Sequence, residues 1–89
     1  MVKQNLFCKR FGLEVYITRH ARERMVQRSI SEKEILELLE SGETRYKDNK
    51  RLWIAKSING REDNLLCMAV ALEERLIIKT VMHNFQWEV

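Results

Sequence analysis

The sequence predicts a single α+β domain in which two N-terminal helices pack on an antiparallel meander sheet of three to five strands. Two observations support this fold class. A helix-start motif at Ser31 precedes apolar residues at helical spacing, and after Gly42 the apolar residues alternate with a period of two. Because short polar turns join the strands after Gly42, an antiparallel meander is favoured over parallel crossovers.

The first helix is predicted over about residues 19–28, with Thr18 as its N-cap. His20, Arg24 and Arg28 recur every four residues and therefore share one polar stripe of this helix. Like charges at this spacing repel by a few tenths of a kcal/mol. We therefore expect acidic neighbours, stacking or an anionic ligand to compensate the stripe.

The second helix is predicted over residues 31–41. Ser31 and Glu34 have the spacing of a capping box, in which each side chain bonds the backbone N–H of the other residue. Ile35, Leu38 and Leu39 supply the buried stripe. Gly42 then ends the helix.

The strands of the sheet follow the second helix. Period-two alternation or a nearly continuous apolar run marks each of them, and polar turns separate them. Upstream, residues 13–18 can add a strand, whereas residues 5–11 fit no clear pattern. The predicted strands after Gly42 are Thr44–Lys47, Arg51–Ile58, Leu65–Leu72 and Arg75–His83.

Size and composition exclude several protein classes. The 89 residues amount to one domain, because a second would lack a core of its own. With 45% hydrophobic and 33% charged residues and no proline, the chain is neither disordered nor of low complexity. It has no apolar run near the roughly 20 residues that cross a bilayer, and its first six residues lack a signal-peptide core. We expect a cytoplasmic protein with no membrane contact.

The charge is mildly basic, at +3 with a pI of about 9.1, which fits nucleic acid, an acidic partner or neither. A basic segment over residues 9–28 precedes a glutamate-rich helix. We interpret the acidic side of this helix as a solvated face. Cys8 and Cys67 cannot form a disulfide framework, so reduced, packed thiols are expected. The chain contains no phosphate-binding glycine loop, zinc-protease motif or nucleophile elbow, and we predict no cofactor and no metal.

Residues 18–31 read T-R-H-A-R-E-R-M-V-Q-R-S-I-S. This segment resembles the opening motif T-x-H-A-x-x-R-M-x-x-R-x-I-S of the domain of unknown function 4258 family. The resemblance covers about residues 13–83 and leaves 1–12 as an N-terminal extension and 84–89 as an aromatic tail. That family is similar, at fold level, to the RelE/barnase-like group of small toxins and ribonucleases. The resemblance implies RNA as substrate, metal-free phosphodiester cleavage and an antitoxin protein as partner.

The sequence departs from the family pattern at two strands. Many relatives carry a histidine in the central strand, where this chain has Cys67 and its apolar neighbours. Many end the last strand in T-V-Y, where this chain has Met82 as the third residue. If those side chains carry chemistry in relatives, this protein needs other residues for it.

Metal-free RNA cleavage needs a base, an acid and cations that stabilise the charge on phosphate. Histidine titrates near neutrality, so His20 and His83 are the candidate catalytic residues. The alternative is that His20 only orients the first helix and that His83 is a surface residue. The candidate phosphate contacts are Arg24, Arg28, Lys56 and Lys79. Their structural alternatives are a pairing of Arg28 with a carboxylate of the second helix and ordinary solvent-facing lysines.

Two tryptophans are candidates for stacking on unpaired bases or for contacting a partner protein, namely Trp53 and Trp87. Trp53 lies in a predicted strand, where packing in the core or at its rim is the alternative. Trp87 belongs to the aromatic tail, which we expect to dock on its own domain or on a partner.

The lead hypothesis is an RNA-directed protein of the toxin type, a metal-independent endoribonuclease or a relative that kept the fold. Its partners would be RNA, free or on the ribosome, an antitoxin, and a second copy in a homodimer. The alternative is a non-enzymatic interaction module, in which the acidic helix or the tail binds a protein and the arginine stripe forms ion pairs. A DNA-binding accessory protein is a weaker third hypothesis, since no recognition-helix signature supports it.

Overall fold

The computed structural model describes residues 6–87. Residues 1–5 and 88–89, which hold the start of the predicted extension and the end of the predicted tail, lie outside the described residues. Within 6–87, no helix is long and apolar enough to span a membrane. In chain order, the elements are β1 (Leu6–Cys8), β2 (Leu13–Ile17), α1 (Arg19–Gln27), α2 (Glu32–Ser41), β3 (Glu43–Tyr46), β4 (Arg51–Lys56), β5 (Leu66–Leu72) and β6 (Leu76–Met82).

The predicted fold class, two N-terminal helices on an antiparallel meander of three to five strands, is wrong. The sheet has six strands in the order β1-β2-β6-β5-β4-β3, and it is mixed. β2 runs parallel to β6, with Tyr16 opposite Ile77, whereas every other neighbouring pair is antiparallel. The helices therefore lie between β2 and β3 and do not precede the sheet.

The physical reason for this difference is the exposed edge that a β3–β6 meander would leave. Without β2, the backbone N–H and C=O groups of β6 would lack ladder partners on one side. β2 supplies them, and Thr18 N–H continues the contact by donating to the carbonyl of Ile78 at 3.2 Å. β1, three residues long, then pairs with the outer edge of β2. So short a strand carries too few residues for a periodic signal.

Local hydrogen bonds start both helices. Thr18 Oγ1 accepts the backbone N–H of Ala21 at 3.1 Å, which caps α1. Ser31 Oγ accepts the N–H of Glu34 at 3.1 Å, and the Glu34 carboxylate accepts the N–H of Ser31 at 2.9 Å. Both halves of the capping box are therefore formed, and they satisfy backbone donors that the helix itself leaves unpaired.

The core lies between the two helices and one face of the sheet. Ala21 and Met25 of α1 are buried there, as are the three apolar residues of the α2 stripe. The sheet contributes alternate residues, among them Leu52 and Ile54 of β4. The opposite side of the sheet, which we call the open face, carries Trp53.

A β-bulge changes the alternation in β6. Val70 pairs with Ile78, but Ala69 pairs with Thr80, so that Lys79 is the extra residue. As a result, Ile78 and Val81 both belong to the core, although they are three residues apart. Lys79 itself is exposed and lines a cavity on the open face.

Gly42 is the point at which α2 passes into β3 against the sheet. A Cβ atom at this position would lie 2.6 Å from Ile54 Cγ2 and 2.6 Å from the carbonyl oxygen of Leu38. Its φ of −74° is accessible to any residue, so the requirement for glycine is one of space. The junction therefore sets how closely α2 approaches β4.

We predict that Gly42→Ala lowers the free energy of unfolding by about 1–3 kcal/mol, the usual cost of overpacking. Urea denaturation followed by circular dichroism measures this change. The control is Lys33→Ala, at an exposed position of α2. This variant removes no buried contact, so it should change stability by less than about 0.5 kcal/mol. Equal losses in the two variants would contradict the steric explanation.

Candidate nucleic-acid interface

The predicted stripe of α1 is not tied to acidic side chains. His20 is exposed near the start of the helix, and Arg24 Nη1 donates to Gln27 Oε1 at 2.9 Å. Nε and Nη1 of Arg28 are buried, and among residues 6–87 they have no hydrogen-bond partner. The alternative in which Arg28 pairs with a carboxylate of α2 is therefore not what the structure shows.

Arg61, in the loop between β4 and β5, makes the contacts that the sequence suggested for Arg28. Its Nη1 donates to Glu34 Oε1 at 3.0 Å and to the carbonyl of Ser29 at 2.8 Å. Its Nη2 donates to the carbonyl of Arg28 and to Asp63 Oδ2, both at 2.8 Å, and its Nε donates to Asp63 Oδ1. Only 15% of this side chain is exposed, so the guanidinium joins the loop to the end of α1 and the start of α2.

The ion pairs around Arg61 shift the pKa values of the groups involved. Hydrogen bonds from Arg61, and then from His83, hold the pKa of Asp63 well below its usual range. Burial raises the pKa of Glu34, but hydrogen bonds from the Ser31 backbone and from Arg61 outweigh it, so that the pKa falls. The bond with Asp63 raises the pKa of Arg61 further. All three groups are therefore charged at neutral pH.

His83 lies just beyond β6, with Nδ1 2.9 Å from Asp63 Oδ2 and about a third of its side chain exposed. An ionised carboxylate can only accept a hydrogen bond, so Nδ1 carries a proton in this contact. In the neutral imidazole, Nε2 is then the atom without a proton and can accept one. This arrangement orients the ring in the way that a carboxylate orients a catalytic histidine.

Lys56 lies on the helix side of the sheet, since it shares the alternation of Leu52 and Ile54. Its Nζ contacts Glu37 Oε2 at 2.9 Å and Ser41 Oγ at 2.8 Å. Lys56, which was predicted to contact phosphate, therefore links α2 to β4. The structure does not bring Lys56 to the same side as Lys79.

The glutamates of α2, and Glu43 just after it, each form an ion pair or hydrogen bonds with another residue of the domain. Glu40 illustrates the pattern, because its carboxylate accepts the backbone N–H groups of Lys9 and Arg10 at 2.7 and 3.0 Å. The helix is thus held by its acidic face and does not present a free row of carboxylates to a partner. The other four contacts are Glu32 with Arg22, Glu34 with Arg61, Glu37 with Lys56 and Glu43 with Arg45.

The open face contains a cavity of about 250 Å³ above the middle of the sheet. Trp53 and the small side chain of Ala69 line it, and Lys47, Arg51 and Lys79 surround it. Because alanine leaves room between the larger neighbours, the sheet is concave here. We call these three cations the cationic triad.

The members of the cationic triad differ in their partners. Arg51 donates to Asp48 through two nitrogens, and this contact lowers the pKa of Asp48 to about 2. Lys47 and Lys79 form no ion pair within residues 6–87, so their charges remain available to an anion. A second cavity, of about 510 Å³, continues from Arg51 and Lys79 towards the turn at 48–50.

Residues 84–87 of the aromatic tail lie against the domain. The N–H of Asn84 donates to the carbonyl of Asp63 at 2.7 Å, and the N–H of Phe85 donates to that of Leu65 at 3.0 Å. These bonds place the Phe85 ring on Trp53, with centroids 6.2 Å apart and planes 15° from parallel. The rings of Phe85 and Trp87 meet edge to face, with centroids 5.0 Å apart. Docking on its own domain was one of the two predictions for this tail.

The tail and β3 enclose a third cavity, of about 630 Å³, which we call the aromatic cavity. Arg45 covers the Trp87 ring, with its guanidinium carbon 4.2 Å from the ring centroid. Tyr46 is exposed, but it lies opposite Leu52 in the ladder, so its side chain is on the helix side of the sheet. Trp53 and Lys47 line both this cavity and the first one, so the two are adjacent.

The cysteines have the character of packed thiols. Burial raises the pKa of Cys67 to about 12, and burial is also the main cause of the raised pKa of Cys8. Within residues 6–87, no three His, Cys, Asp or Glu side chains come together as metal ligands. The cavities of the open face are lined by cations and aromatic rings, whereas the oriented imidazole of His83 contacts the β4–β5 loop and lines none of these three cavities.

A family model described as domain of unknown function (DUF4258) matches residues 17–83. The chain belongs to the DUF4258 family. The matched region of this DUF4258 domain includes α1, α2 and the strands that carry the cationic triad, and it ends before Phe85 and Trp87. No curated protein and no solved structure matches the chain.

The sequence predicted a phosphate contact for Lys79, and base stacking or a partner contact for Trp53 and Trp87. The structure places all three around the adjacent cavities of the open face. Lys47 and Arg51 were not among the predicted RNA contacts, because in the sequence they read as the ends of a polar turn. The signal that could have found them is their position on either side of that turn, because a hairpin brings its two ends together.

We predict that Arg61→Ala lowers the free energy of unfolding by about 3 kcal/mol, since two carboxylates and two carbonyls lose their donor. Arg61→Lys should fall between this variant and the wild type, because an ammonium cannot reproduce the planar fork. Urea denaturation provides the comparison. Arg19→Ala, at a side chain 94% exposed, is the control and should cost less than about 0.5 kcal/mol. A loss in Arg61→Ala as small as that of the control would show that the loop contacts do not stabilise the fold.

Proposed function

We propose that this DUF4258 protein is RNA-directed, with the open face of its sheet as the RNA-binding surface. The observation that carries the proposal is the cationic triad around the first cavity of the open face, which Trp53 and Ala69 line. Lys47 and Lys79 offer unpaired charge, and Arg51 adds a guanidinium at the border of the next cavity. Positive charge in a concavity attracts a polyanion more strongly than the same charge spread over a convex surface.

RNA is favoured over other polyanions by the aromatic rings beside the charges. Single-stranded nucleic acid is typically bound by a basic groove that follows the phosphates and by rings on which bases stack. An antitoxin protein as partner stays a prediction from the family resemblance. The interaction-module alternative loses one of its two surfaces, because the glutamates of α2 have partners within the domain.

We predict that Lys79→Ala weakens RNA binding and lowers the salt dependence of the affinity. Each lost phosphate contact to a single strand should reduce the slope of log K against log salt concentration by roughly 0.7. Fluorescence anisotropy of a labelled oligouridylate, titrated at several salt concentrations, measures this slope. The matched control is Lys33→Ala, which removes an exposed lysine of α2 and leaves the open face unchanged. The same loss of slope in both variants would place RNA binding elsewhere.

Metal-free RNA cleavage is the second candidate function, and the contact between His83 and Asp63 favours it. Asp63 holds the ring with Nδ1 protonated, which leaves Nε2 to accept the proton of a 2′-hydroxyl. His20, the other predicted catalytic histidine, is exposed on α1 and has no such orienting partner within residues 6–87. Cleavage by this route transfers the 2′-proton to Nε2 of His83 and forms the bond from O2′ to phosphorus. The bond from phosphorus to the 5′-oxygen breaks, and this oxygen takes a proton from water as it leaves.

For this candidate we predict that the wild-type protein cleaves RNA in EDTA and that His83→Ala slows cleavage by roughly a hundredfold or more. His20→Ala should cleave at the wild-type rate. Gel electrophoresis of an end-labelled RNA, alone and with ribosomes, measures both rates. The absence of wild-type cleavage under both conditions would exclude the ribonuclease and leave RNA binding as the function.

A further inference from the structure

We infer that the aromatic cavity is a binding subsite for an unpaired RNA base, so that the protein selects single-stranded RNA over duplex. The inference rests on the proposed function and adds the kind of RNA that the open face recognises. It depends on three features of the structure: the connection between the cavities, the arrangement of the rings and the size of the space.

The connection between the cavities matches the layout of a nucleotide. Trp53 and Lys47 line both the cavity of the cationic triad and the aromatic cavity. A phosphate held between Lys47 and Lys79 would therefore have an aromatic space directly beside it. A polynucleotide presents a base next to each phosphate, whereas a simple anion has nothing to place there.

The rings are held in position before any ligand arrives. Phe85 packs between Trp53 and Trp87, and the guanidinium of Arg45 covers the Trp87 ring. Glu43 in turn holds Arg45, with the Nη2 atom 3.2 Å from the carboxylate. Because these contacts already restrict the side chains, a base that stacks here loses less affinity to ordering of the protein.

The lining offers both stacking and hydrogen bonds. Trp53 and Trp87 are only half-buried, so part of each ring remains free to contact a base. Gln86 is exposed at the same cavity, and its side-chain amide can both donate to and accept from a base edge. The rings tolerate any base, and the amide is the group that could distinguish one base from another.

The space favours an unpaired base. The aromatic cavity, of about 630 Å³, is in the size range of pockets that enclose small ligands. In a duplex, each base is stacked on both sides and paired along its edge, so no base can enter such a cavity without unpairing. A duplex would be limited to the cationic triad.

Tryptophan fluorescence reports on this subsite directly, because Trp53 and Trp87 are the two tryptophans of the chain and both line the aromatic cavity. The ligands are a short oligouridylate, an abasic ribose-phosphate oligomer with the same number of phosphates, and an RNA duplex. We expect oligouridylate to quench the fluorescence and to bind roughly tenfold or more tightly than the abasic oligomer, given the usual strength of base stacking. The duplex should bind no better than the abasic oligomer.

Substitutions at the cavity locate the effect. Trp87→Ala should reduce the preference for oligouridylate over the abasic oligomer and leave the affinity for the abasic oligomer unchanged. The matched control is Tyr16→Ala, which removes another aromatic ring covered by an arginine and lies on β2 away from the aromatic cavity. This variant should keep the wild-type preference, and circular dichroism confirms that both variants are folded.

The base subsite and the proposed function fail in different ways. Equal affinities for oligouridylate, duplex and abasic oligomer, with the loss in Lys79→Ala retained, would overturn the base subsite alone. A preference for oligouridylate that Tyr16→Ala reduces as much as Trp87→Ala would also overturn it. The absence of binding to all three ligands would overturn the proposed function together with the inference.

Discussion

The guanidinium of Arg61 connects the parts of the domain that the sheet alone does not hold together. It binds the carbonyls at the end of α1, the carboxylate at the start of α2 and the carboxylate of Asp63 in its own loop. Asp63 then contacts the ring of His83, and its backbone carbonyl accepts the N–H of Asn84. Because this loop fixes where the chain leaves β6, it also determines where Phe85 and Trp87 lie. The position of the tail's aromatic rings on the open face therefore depends on an ion pair formed near the helices.

Paired and unpaired charges lie on different sides of the sheet. On the helix side, the glutamates of α2 are each matched by a cation or by backbone N–H groups, so that side carries little unpaired acidity. On the open face, Lys47 and Lys79 have no acidic partner within residues 6–87. A net charge of only +3 therefore leaves a localised basic surface around the first cavity, although Asp48 and Glu73 line the adjoining second cavity. The net charge alone would not have indicated such a surface.

The candidate site could be predicted in part from the sequence, and each error of that prediction has an identifiable cause. Trp53 and Lys79 were expected to contact RNA, and simple alternation in β4 does place Trp53 opposite the core residues Leu52 and Ile54. The same alternation puts Lys56 on the helix side, where Glu37 binds it. Lys79 reaches the open face at a bulge, and the sequence of β6 carries no glycine or other marker of one. Lys47 and Arg51 belong to a turn, and composition does not show which cavity the ends of a turn will border.

By itself, the sequence determined the features that depend on neighbours along the chain. The caps at Thr18 and Ser31, the buried stripe of α2 and the strands after Gly42 all follow from hydrogen bonds or spacings within a few residues. Only the tertiary structure decided that β2 lies parallel to β6, that Arg61 and not Arg28 binds Glu34, and that the tail completes a cavity with β3. These contacts join distant residues, and their free energy depends on which edge, charge or ring remains unpaired after the local elements have formed. No pattern within a short segment contains that information.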